Sequence, residues 1–472
     1  MTFLYQDMLA SGPLIIVAVT ALVVLIVESL GKKTEQLNCW LSIAGLLAAM
    51  VVAFRSLSDS GSAYGGMLMA NGYAHYFSIV FCLSGLLSVM LSREYIRKES
   101  IDHGEYYALT LFAIVGMMLM ASTADLIVFF LGLELMSVSF YVMAGFARKR
   151  ITSNEAALKY FLLGAFSTGF LLYGIALVYG STGTTNLALM MSAVPPKSTL
   201  LLLGFGLLMV GLLFKVAAVP FHMWVPDVYE GSPTTVSGFM STGGKAAAFS
   251  AALLIFSPAL VKGMPPLREV LSVVAAASMI AGNVIAISQN NVKRMLAYSS
   301  IAHAGYVLTG IVGANAAGSN GVLFYLMAYT CMNIGAFGVL SLLETKDGGN
   351  LTFDEYAGLS ARQPVLSAMM AIFMFSLAGI PPFAGFFGKY YVFAGAIEGG
   401  YTWLAIIGVI MSVVSAYYYL RLVVLMYFGD QASTIDVPGS RLGMAALVLS
   451  AIAVVAFGIF PSSIISITSR FF

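Results

Sequence analysis

Four charged side chains lie inside long apolar runs of the chain, where charges are rare. They are Glu134, Lys215, Lys245 and Lys389. If these runs are membrane-spanning helices, each central ion costs roughly 2.5–3.5 kcal/mol. Four such ions cost on the order of 10 kcal/mol, which is comparable with the net stability of a whole domain. Ionisable groups kept at that cost are typical of ion pathways and proton relays, so we predict a relay.

Polar side chains follow the helical repeat beside these charges. Ser299, His303 and Tyr306 fall on one face of an apolar segment, as three other sets of polar residues do. Such faces can hold buried water, although they are also typical of hydrogen bonds between membrane helices. Four polar faces beside four buried charges favour a hydrated path, with His303 as a further relay group. The other residues predicted to line it are Ser237, Ser241, Tyr325, Tyr329 and Tyr419.

The buried charges have a second interpretation as structural groups. They could form ion pairs between helices, or the lysines could extend towards the membrane surface, and Lys389 lies near a helix break. One glutamate cannot neutralise three lysines pairwise, so the imbalance favours a relay in which some lysines are neutral.

Two proline breaks lie close to two of the lysines. Pro220 follows Lys215 by five residues, and Pro381 and Pro382 precede Lys389. Proline removes a helical hydrogen bond and frees carbonyl groups, which a membrane tolerates only where the backbone is buried in protein or lines a cavity. A charge beside a broken helix is the pattern of ion sites in transporters.

The elements that must position these residues are transmembrane helices. Hydrophobic residues make up 60% of the 472 residues and charged residues only 9%, against about a quarter in soluble domains. The apolar runs predict an all-α polytopic membrane protein of about fourteen transmembrane helices, with the seventh and twelfth broken. The net charge of +2 gives no field that would attract nucleic acid.

Neither cysteine spacing nor a short motif indicates a cofactor in this chain. Cys39, Cys82 and Cys331 are far apart in apolar runs, which is typical of small buried side chains. No ligand spacing suggests zinc or an iron–sulfur cluster, and no glycine-rich dinucleotide turn follows a strand. We therefore predict no metal site and no cofactor bound by this chain.

Basic residues are distributed unevenly between the two sets of predicted loops. With fourteen helices, thirteen lysines and arginines fall in the loops of one side and five in those of the other side and the termini. Because basic loops stay in the cytoplasm, we predict a multi-pass protein with both termini on the non-cytoplasmic side.

The two breaks resemble each other and suggest a repeat. Ala218-Val-Pro-Phe-His and Gly379-Ile-Pro-Pro-Phe lie in predicted helices seven and twelve, which run in opposite directions. We predict two inverted five-helix repeats, in which Glu134 corresponds in position to His303. The predicted divisions are residues 1–104 with helices one to three, 105–260 with the first repeat, 261–430 with the second, and 431–472 with the last helix.

Three long segments resemble the antiporter-like membrane subunits of respiratory complex I. They begin at Phe221 (FHMWVPDVYEGSP), Asn291 (NVKRMLAYSSIAHAGY) and Leu377 (LAGIPPFAGFFGK), and Leu131-Gly-Leu-Glu resembles the fifth helix of that family. The resemblance covers nearly the whole chain. The length of the chain and the lysine at position 389 resemble those of the N-type branch of the family rather than those of the M-type or L-type branches.

The resemblance implies a role for each buried charge. Glu134 and Lys215 would form the charge pair that gates a first half-channel. Lys245 would be the central connecting residue, His303 a bridging group, and Lys389 the terminal exchange residue towards the outside. The family carries no redox centre in these subunits.

The resemblance also implies partners. The chain would work in the bacterial inner membrane beside adjacent antiporter-like subunits and the peripheral subunits of complex I, as part of a proton-translocating NADH:quinone oxidoreductase. That complex uses NADH, FMN, iron–sulfur clusters and quinone. Two alternatives stay open: a subunit of a multi-subunit sodium/proton antiporter, and a non-pumping membrane scaffold.

Overall fold

Long helices account for almost all of the chain, as the apolar runs predict. The computed structural model describes residues 2–31, 34–192, 198–349, 351–429 and 439–472. Within these ranges, eleven helices are long and apolar enough to span a membrane. They are α1 (Gly12–Leu30), α2 (Glu35–Arg55), α3 (Gly72–Lys98), α5 (Leu126–Ala144), α6 (Ile151–Thr182), α7a (Thr199–Val216), α9 (Pro265–Ile287), α10 (Val292–Gly313), α11 (Ala316–Leu343), α13 (Thr402–Phe428) and α14 (Arg441–Ile459).

The other three predicted spans are also helical but are shorter or interrupted. The fourth is α4 (Glu105–Ala121), which Ser122 to Asp125 separate from α5. The eighth, α8, runs from Thr234 to Ile255 and contains a π-helical turn, Met240–Gly244. The twelfth consists of α12a (Pro364–Ala378) and α12b (Ala384–Glu398). Each predicted span therefore has a helical counterpart, while the total of fourteen crossings stays a prediction.

Short elements fill the connections. The seventh helix resumes after its break as α7b (Trp224–Gly231), and a two-stranded hairpin pairs Ser62–Ala63 with Leu68–Met69. The remaining short helices are Thr2–Ala10, Leu187–Ser192, Pro258–Gly263, Lys346–Gly348, Phe353–Tyr356, Leu359–Arg362 and Ser462–Thr468.

Loop contacts define one end of the bundle, which we call the basic end. The loops that meet there follow the odd-numbered helices, namely the loops between α1 and α2, between α3 and α4, and so on along the chain. Contacts that join them include Gly104 N to Glu28 Oε1 (2.9 Å), Phe353 N to Asn290 O (3.1 Å) and Gly358 N to Leu425 O (3.0 Å).

The remaining connections lie at the opposite end. Leu126 N donates to the Thr185 carbonyl oxygen (2.9 Å), and Arg268 donates to the carbonyl oxygens of Gly313 and Gly399. Both terminal segments also contact this end: Ser11 bonds to Tyr64 of the hairpin, and the Phe471 ring packs on Tyr73. The contacts thus place the loops at two opposite ends of the bundle, in the same two sets that are predicted if successive helices cross the membrane in alternating directions.

Burial differs strongly between the helices. α3, α10 and α11 are buried along nearly their whole length, whereas α1 and α13 are mostly exposed. The inner helices α10 and α11 supply much of the hydroxyl-rich centre of the bundle, and the buried face of α13 adds Ser412 and Tyr419. The outer helices present leucine, valine, isoleucine and aromatic side chains outward, as expected where lipid or another apolar subunit covers them.

The two helix breaks have the same backbone geometry. The residues that cap the C-termini of α7a and α12a, Ala217 and Gly379, both lie in the left-handed region (φ 63° and 87°). In both, the next residue donates back five positions, Ala218 N to Leu213 O and Ile380 N to Phe375 O, which is the Schellman arrangement. A cis proline, Pro220 or Pro382, follows three residues after the left-handed residue in each case.

Candidate functional site

The ammonium group of Lys215 lies among hydroxyl and aromatic groups. Its Nζ donates to Ser137 Oγ (2.8 Å) and to Tyr141 Oη (3.3 Å), both on α5. The same nitrogen lies 5.4 Å from the Tyr141 ring centre and 5.8 Å from that of Tyr160. Hydroxyl oxygens and aromatic faces stabilise a cation but do not fix its protonation state. A carboxylate partner, in contrast, would hold the lysine in its charged form.

Glu134 lies one turn before Ser137 on α5 but does not touch Lys215. Its Oε1 accepts a hydrogen bond from Thr168 Oγ1 of α6 (2.8 Å), and the side chain is only partly buried. The Glu134 carboxylate is not within 4.0 Å of the Lys215 ammonium group. The charge pair implied by the family resemblance is therefore not a direct ion pair here, and Ser137 lies between its members along α5.

The equivalence predicted between Glu134 and His303 stays a prediction, and the two residues lie at different distances from the starts of their helices. Glu134 comes nine residues after Asp125, the N-cap of α5, whereas His303 comes twelve residues after Asn291, the N-cap of α10. Counted from these caps, the residue that corresponds to His303 is Ser137, which accepts the hydrogen bond from Lys215.

Lys245 lies at the centre of the bundle, directly after the π-helical turn of α8. Its Nζ donates to the carbonyl oxygen of Ser300 on α10 (2.6 Å) and also bonds to the Ser300 hydroxyl. Between Lys215 and Lys245, Phe140 of α5 packs edge-on against Phe239 and close to Gly244. Among the described residues no hydrogen bond crosses this aromatic contact, so the two lysine sites are separate.

Three buried polar atoms lie around the Ser300 region without a protein hydrogen-bond partner among the described residues. They are Tyr229 Oη, Tyr329 Oη and Asn333 Oδ1. Both tyrosines lie beside Ser300. Since buried polar groups are normally satisfied by protein or by water, these atoms define a place suited to water next to Lys245.

His303 joins two tyrosines from different helices. Its Nδ1 lies 2.7 Å from Tyr325 Oη on α11, and its Nε2 lies 3.1 Å from Tyr419 Oη on α13. Tyr419 also bonds to Ser299. A neutral imidazole has one donor and one acceptor nitrogen, so His303 can accept a proton on one side and release one on the other.

Lys389 on α12b points back into the break of its own helix. Its Nζ donates to the carbonyl oxygens of Leu377 (3.0 Å) and Ala378 (2.9 Å), which end α12a, and to Ser412 Oγ on α13 (2.8 Å). It also lies 4.8 Å from the centre of the Tyr306 ring. The break thus supplies the carbonyl oxygens that hold the lysine, as a discontinuous membrane helix does in ion sites.

None of the three lysines has a carboxylate partner or reaches solvent. The exposed fractions of Lys215, Lys245 and Lys389 are 5%, 3% and 4%. In the described part of the chain, no carboxylate lies within 4.0 Å of any of their ammonium groups. These contacts disfavour both structural interpretations, ion pairing and extension to the membrane surface.

The predicted lining residues divide into two groups. Tyr306, Tyr325, Ser299 and Tyr419 lie around His303 and Lys389. Ser237 instead donates to the Tyr229 carbonyl oxygen (2.7 Å), and Ser241 accepts from Asn333 Nδ2 (2.7 Å). These last two hydroxyls lie on the side of Lys245 that faces the basic end.

Several contact residues were missed by the sequence analysis. Ser137, Tyr141, Thr168 and Ser300 bond directly to Glu134 or to the lysines. Two of them carried a usable signal, since Ser137 lies three residues after Glu134 and Ser300 three before His303. The partners of Lys215 and Glu134 on other helices could not be found from spacing within one helix.

The three cysteines lie apart from the buried charges and form no disulfide with one another. Cys39, Cys82 and Cys331 are buried free thiols. No group of three or more histidine, cysteine, aspartate or glutamate side chains in the described part of the chain could hold a metal ion.

Comparisons with known proteins agree with this arrangement of helices. The family model "NADH:quinone oxidoreductase/Mrp antiporter, TM" matches residues 123–415. NADH-quinone oxidoreductase subunit N of Trichlorobacter lovleyi is 47% identical over 97% of this chain and 95% of that protein. Subunit N 2 of Rhizobium meliloti is 45% identical over 97% of this chain and 96% of that protein.

Solved structures are similar over nearly the full length. A chain of respiratory complex I from Thermus thermophilus with bound aureothin has a TM-score of 0.85 and 36% identity, covering 96% of this chain and 98% of that chain. A chain of the Mrp complex from Dietzia sp. DQ12-45-1b has a TM-score of 0.86 at 20% identity, covering 98% of this chain and 96% of that chain, and so shares the fold alone.

The fold is that of an antiporter-like membrane subunit. The chain belongs to the NADH:quinone oxidoreductase/Mrp antiporter family, since the family model covers more than half of it. Within that family it falls in the subunit N group of the NADH-quinone oxidoreductases, to which its relatives of 41–47% identity belong.

Proposed function

We propose that this chain translocates protons across the bacterial inner membrane as the N-type subunit of an NADH:quinone oxidoreductase of the translocase class. The observation that carries this proposal is the burial of Lys215, Lys245 and Lys389 without a carboxylate partner. Such amines can gain or lose a proton as their surroundings change. Each proton moved against 100 mV requires roughly 2.3 kcal/mol, which partner subunits must supply.

The contacts support an order of transfer along the bundle. Glu134 and Lys215 form the first site through Thr168, Ser137 and Tyr141. Lys245 is the central site on Ser300, and His303 bridges Tyr325 and Tyr419 beside it. Lys389 is the terminal site at the break of the twelfth helix.

The proposed parent complex supplies the redox chemistry. NADH, FMN, iron–sulfur clusters and quinone are assigned to partner subunits, and this chain contributes only groups that bind and transfer protons. The lipid bilayer and the adjacent antiporter-like subunits cover its exposed apolar helices.

We propose that the two halves are inverted repeats, residues 105–260 and 261–430, between helices 1–104 and the last helix 431–472. The equal geometry of the breaks after Ala217 and Gly379 supports this division. The lysines are not equivalent in it, because Lys215 precedes its break and Lys389 follows its own.

We also propose that the basic end faces the cytoplasm, so that both termini lie outside it. The positive-inside rule supports this orientation. Cysteine labelling tests it with two exposed lysines at opposite ends: Lys346→Cys should react from the cytoplasmic face and Lys262→Cys from the other. Labelling from the reversed sides would contradict it.

Ion dependence separates this function from sodium/proton antiport. We expect inside-out membrane vesicles that contain the complex to acidify internally on addition of NADH and quinone, equally with and without sodium. Acidification that requires sodium, or sodium-driven proton exchange without NADH, would favour the antiporter instead.

A further inference from the structure

A cluster of buried ions at the basic end takes no part in the path described above. Glu99 follows α3, Arg150 precedes α6 and Glu344 follows α11. Arg150 Nη1 lies 3.5 Å from Glu99 Oε2 and 3.7 Å from Glu344 Oε1. We call these three residues the Glu344 cluster. Its members come from connections far apart in the sequence, so it joins both predicted repeats.

The carboxylate of Glu344 is buried and lacks a short hydrogen bond. The residue is 2% exposed, and among the described residues neither carboxylate oxygen has a hydrogen-bond partner. The neighbouring lysines are committed elsewhere: Lys98 donates to the backbone carbonyls of Ser341 and Glu344, and Lys293 to that of Ser232. A buried carboxylate without hydrogen bonds is costly, so its retention at this position calls for a reason other than stability.

Open cavities reach the cluster from its outer side. A cavity of about 820 Å³ is lined by Glu99 and Arg150, together with the exposed Arg148, Lys149 and Lys346. Arg150 also lines a second cavity of about 350 Å³. Glu344 lines neither cavity, whereas Arg150, its ion-pair partner, lines both.

Polar groups continue inward from the cluster towards Lys245. Tyr95 lies beside both carboxylates, and its hydroxyl accepts a hydrogen bond from Thr234 N at the start of α8 (3.1 Å). Along α8, Ser237 and Ser241 precede Lys245 at intervals of four residues on one face. Asn333 of α11 bonds to Ser241 there and has one oxygen without a protein partner.

From this arrangement we infer that Glu344 loads protons for a second entry to Lys245, which runs along the Ser237–Ser241 face of α8 and bypasses Lys215. A proton passes from the cavity by way of Glu99 to Glu344. It leaves the Glu344 oxygen along the polar face as the Lys245 amine accepts one. Only O–H and N–H bonds form and break, and Arg150 balances the charge left on the carboxylates. The inference rests on the proposed function of Lys245.

This second entry accounts for the aromatic contact between the lysine sites. Phe140 packs edge-on against Phe239 beside the Lys245 site, whereas Ser237 and Ser241 bond to the Tyr229 carbonyl oxygen and to Asn333. Lys245 can then be loaded from the basic end while Lys215 and Glu134 change charge independently.

The test is coupled turnover of the assembled complex with Glu344→Gln, which keeps the size of the side chain and removes its acid. We expect roughly a tenfold loss of NADH:quinone turnover and proton uptake per assembled complex. The loss should grow with pH, because entry then depends on scarcer protons from bulk water. The titratable and charged groups that face Glu344 and shape this profile are Arg150, Glu99, Lys98, Lys293, Tyr95 and Tyr356.

Matched variants separate the outcomes. Asp354→Asn removes an exposed carboxylate of the same connection and should leave turnover unchanged, while Glu344→Asp should restore part of it. Ser241→Ala interrupts the polar face and should reproduce the loss even if Glu344→Gln fails to assemble.

Lys245→Met reports on the proposed function itself. If it abolishes pumping while Glu344→Gln and Ser241→Ala keep normal turnover per complex and a normal pH profile, the second entry is overturned and the function stands. A Glu344→Gln variant that lowers only the amount of complex would also overturn it. If Lys245→Met pumps normally, the proposed function fails.

Discussion

A lysine held by hydroxyl and carbonyl oxygens differs in behaviour from one held by a carboxylate. A buried ion pair fixes the charge of both partners, because removing either proton leaves an uncompensated ion. Lys215, Lys245 and Lys389 lack that constraint. Both carbonyl and hydroxyl oxygens can accept a hydrogen bond from a lysine ammonium group, and a hydroxyl can also donate a hydrogen bond to a neutral amine. This freedom is what a relay requires.

Ser137 offers the most selective test of whether a relay needs a hydroxyl partner beside its lysine. We expect Ser137→Ala to lower coupled turnover several-fold, because Lys215 then loses its 2.8 Å hydroxyl partner, worth about 1 kcal/mol or more in a buried site. Ser139→Ala is the control, since that hydroxyl donates only to a carbonyl oxygen of its own helix. NADH:quinone turnover per assembled complex measures both. Equal effects of the two changes would contradict a specific role for Ser137.

At this scale the sequence identified the buried charges but not all of their partners. An ion in an apolar run stands out by its cost alone, so Glu134 and the three lysines were found. Ser300 and Tyr141 were missed because hydroxyl groups cost little in a membrane helix and gain importance only from a lysine on another helix.

The elements that position these groups are helices interrupted at defined points. α12a ends where its last carbonyl oxygens hold Lys389, and α12b begins with small residues that pack against that end. The proline breaks were predictable because proline removes a hydrogen bond wherever it occurs. The π-helical turn before Lys245 was not predictable, because no proline marks it. Side chains of other helices pack closely against Gly243 and Gly244 there.

Gly385 tests whether the close packing of the broken helix matters. A side chain there would overlap the backbone carbonyl oxygen of Ser376, so Gly385→Ala must move α12b and Lys389 away from the break. We expect a destabilisation of about 1–3 kcal/mol, seen as a lower melting temperature and less assembled complex. Gly169→Ala, on an open face of α6, is the control and should not destabilise. A Gly385→Ala variant as stable as Gly169→Ala would contradict this packing.

The whole molecule is a bundle whose two ends differ in their contacts. Alternate crossings were predictable because the lengths of the apolar runs and the positions of basic loops both follow from the bilayer. The contacts between loops group them into the same two ends of the bundle. The Glu344 cluster could not be predicted, because Glu99, Arg150 and Glu344 come together only after three distant connections meet at one end.

The most direct test of proton transfer through this chain is internal acidification of inside-out membrane vesicles with Lys215→Met. Electron input is followed in parallel with an artificial acceptor, and Lys262→Met, a change of an exposed lysine, is the control. We predict that input activity and assembly persist while quinone-linked turnover and acidification fall about tenfold or more. If the protons moved per electron and the turnover stay unchanged, the buried lysine is structural and the chain acts as a scaffold.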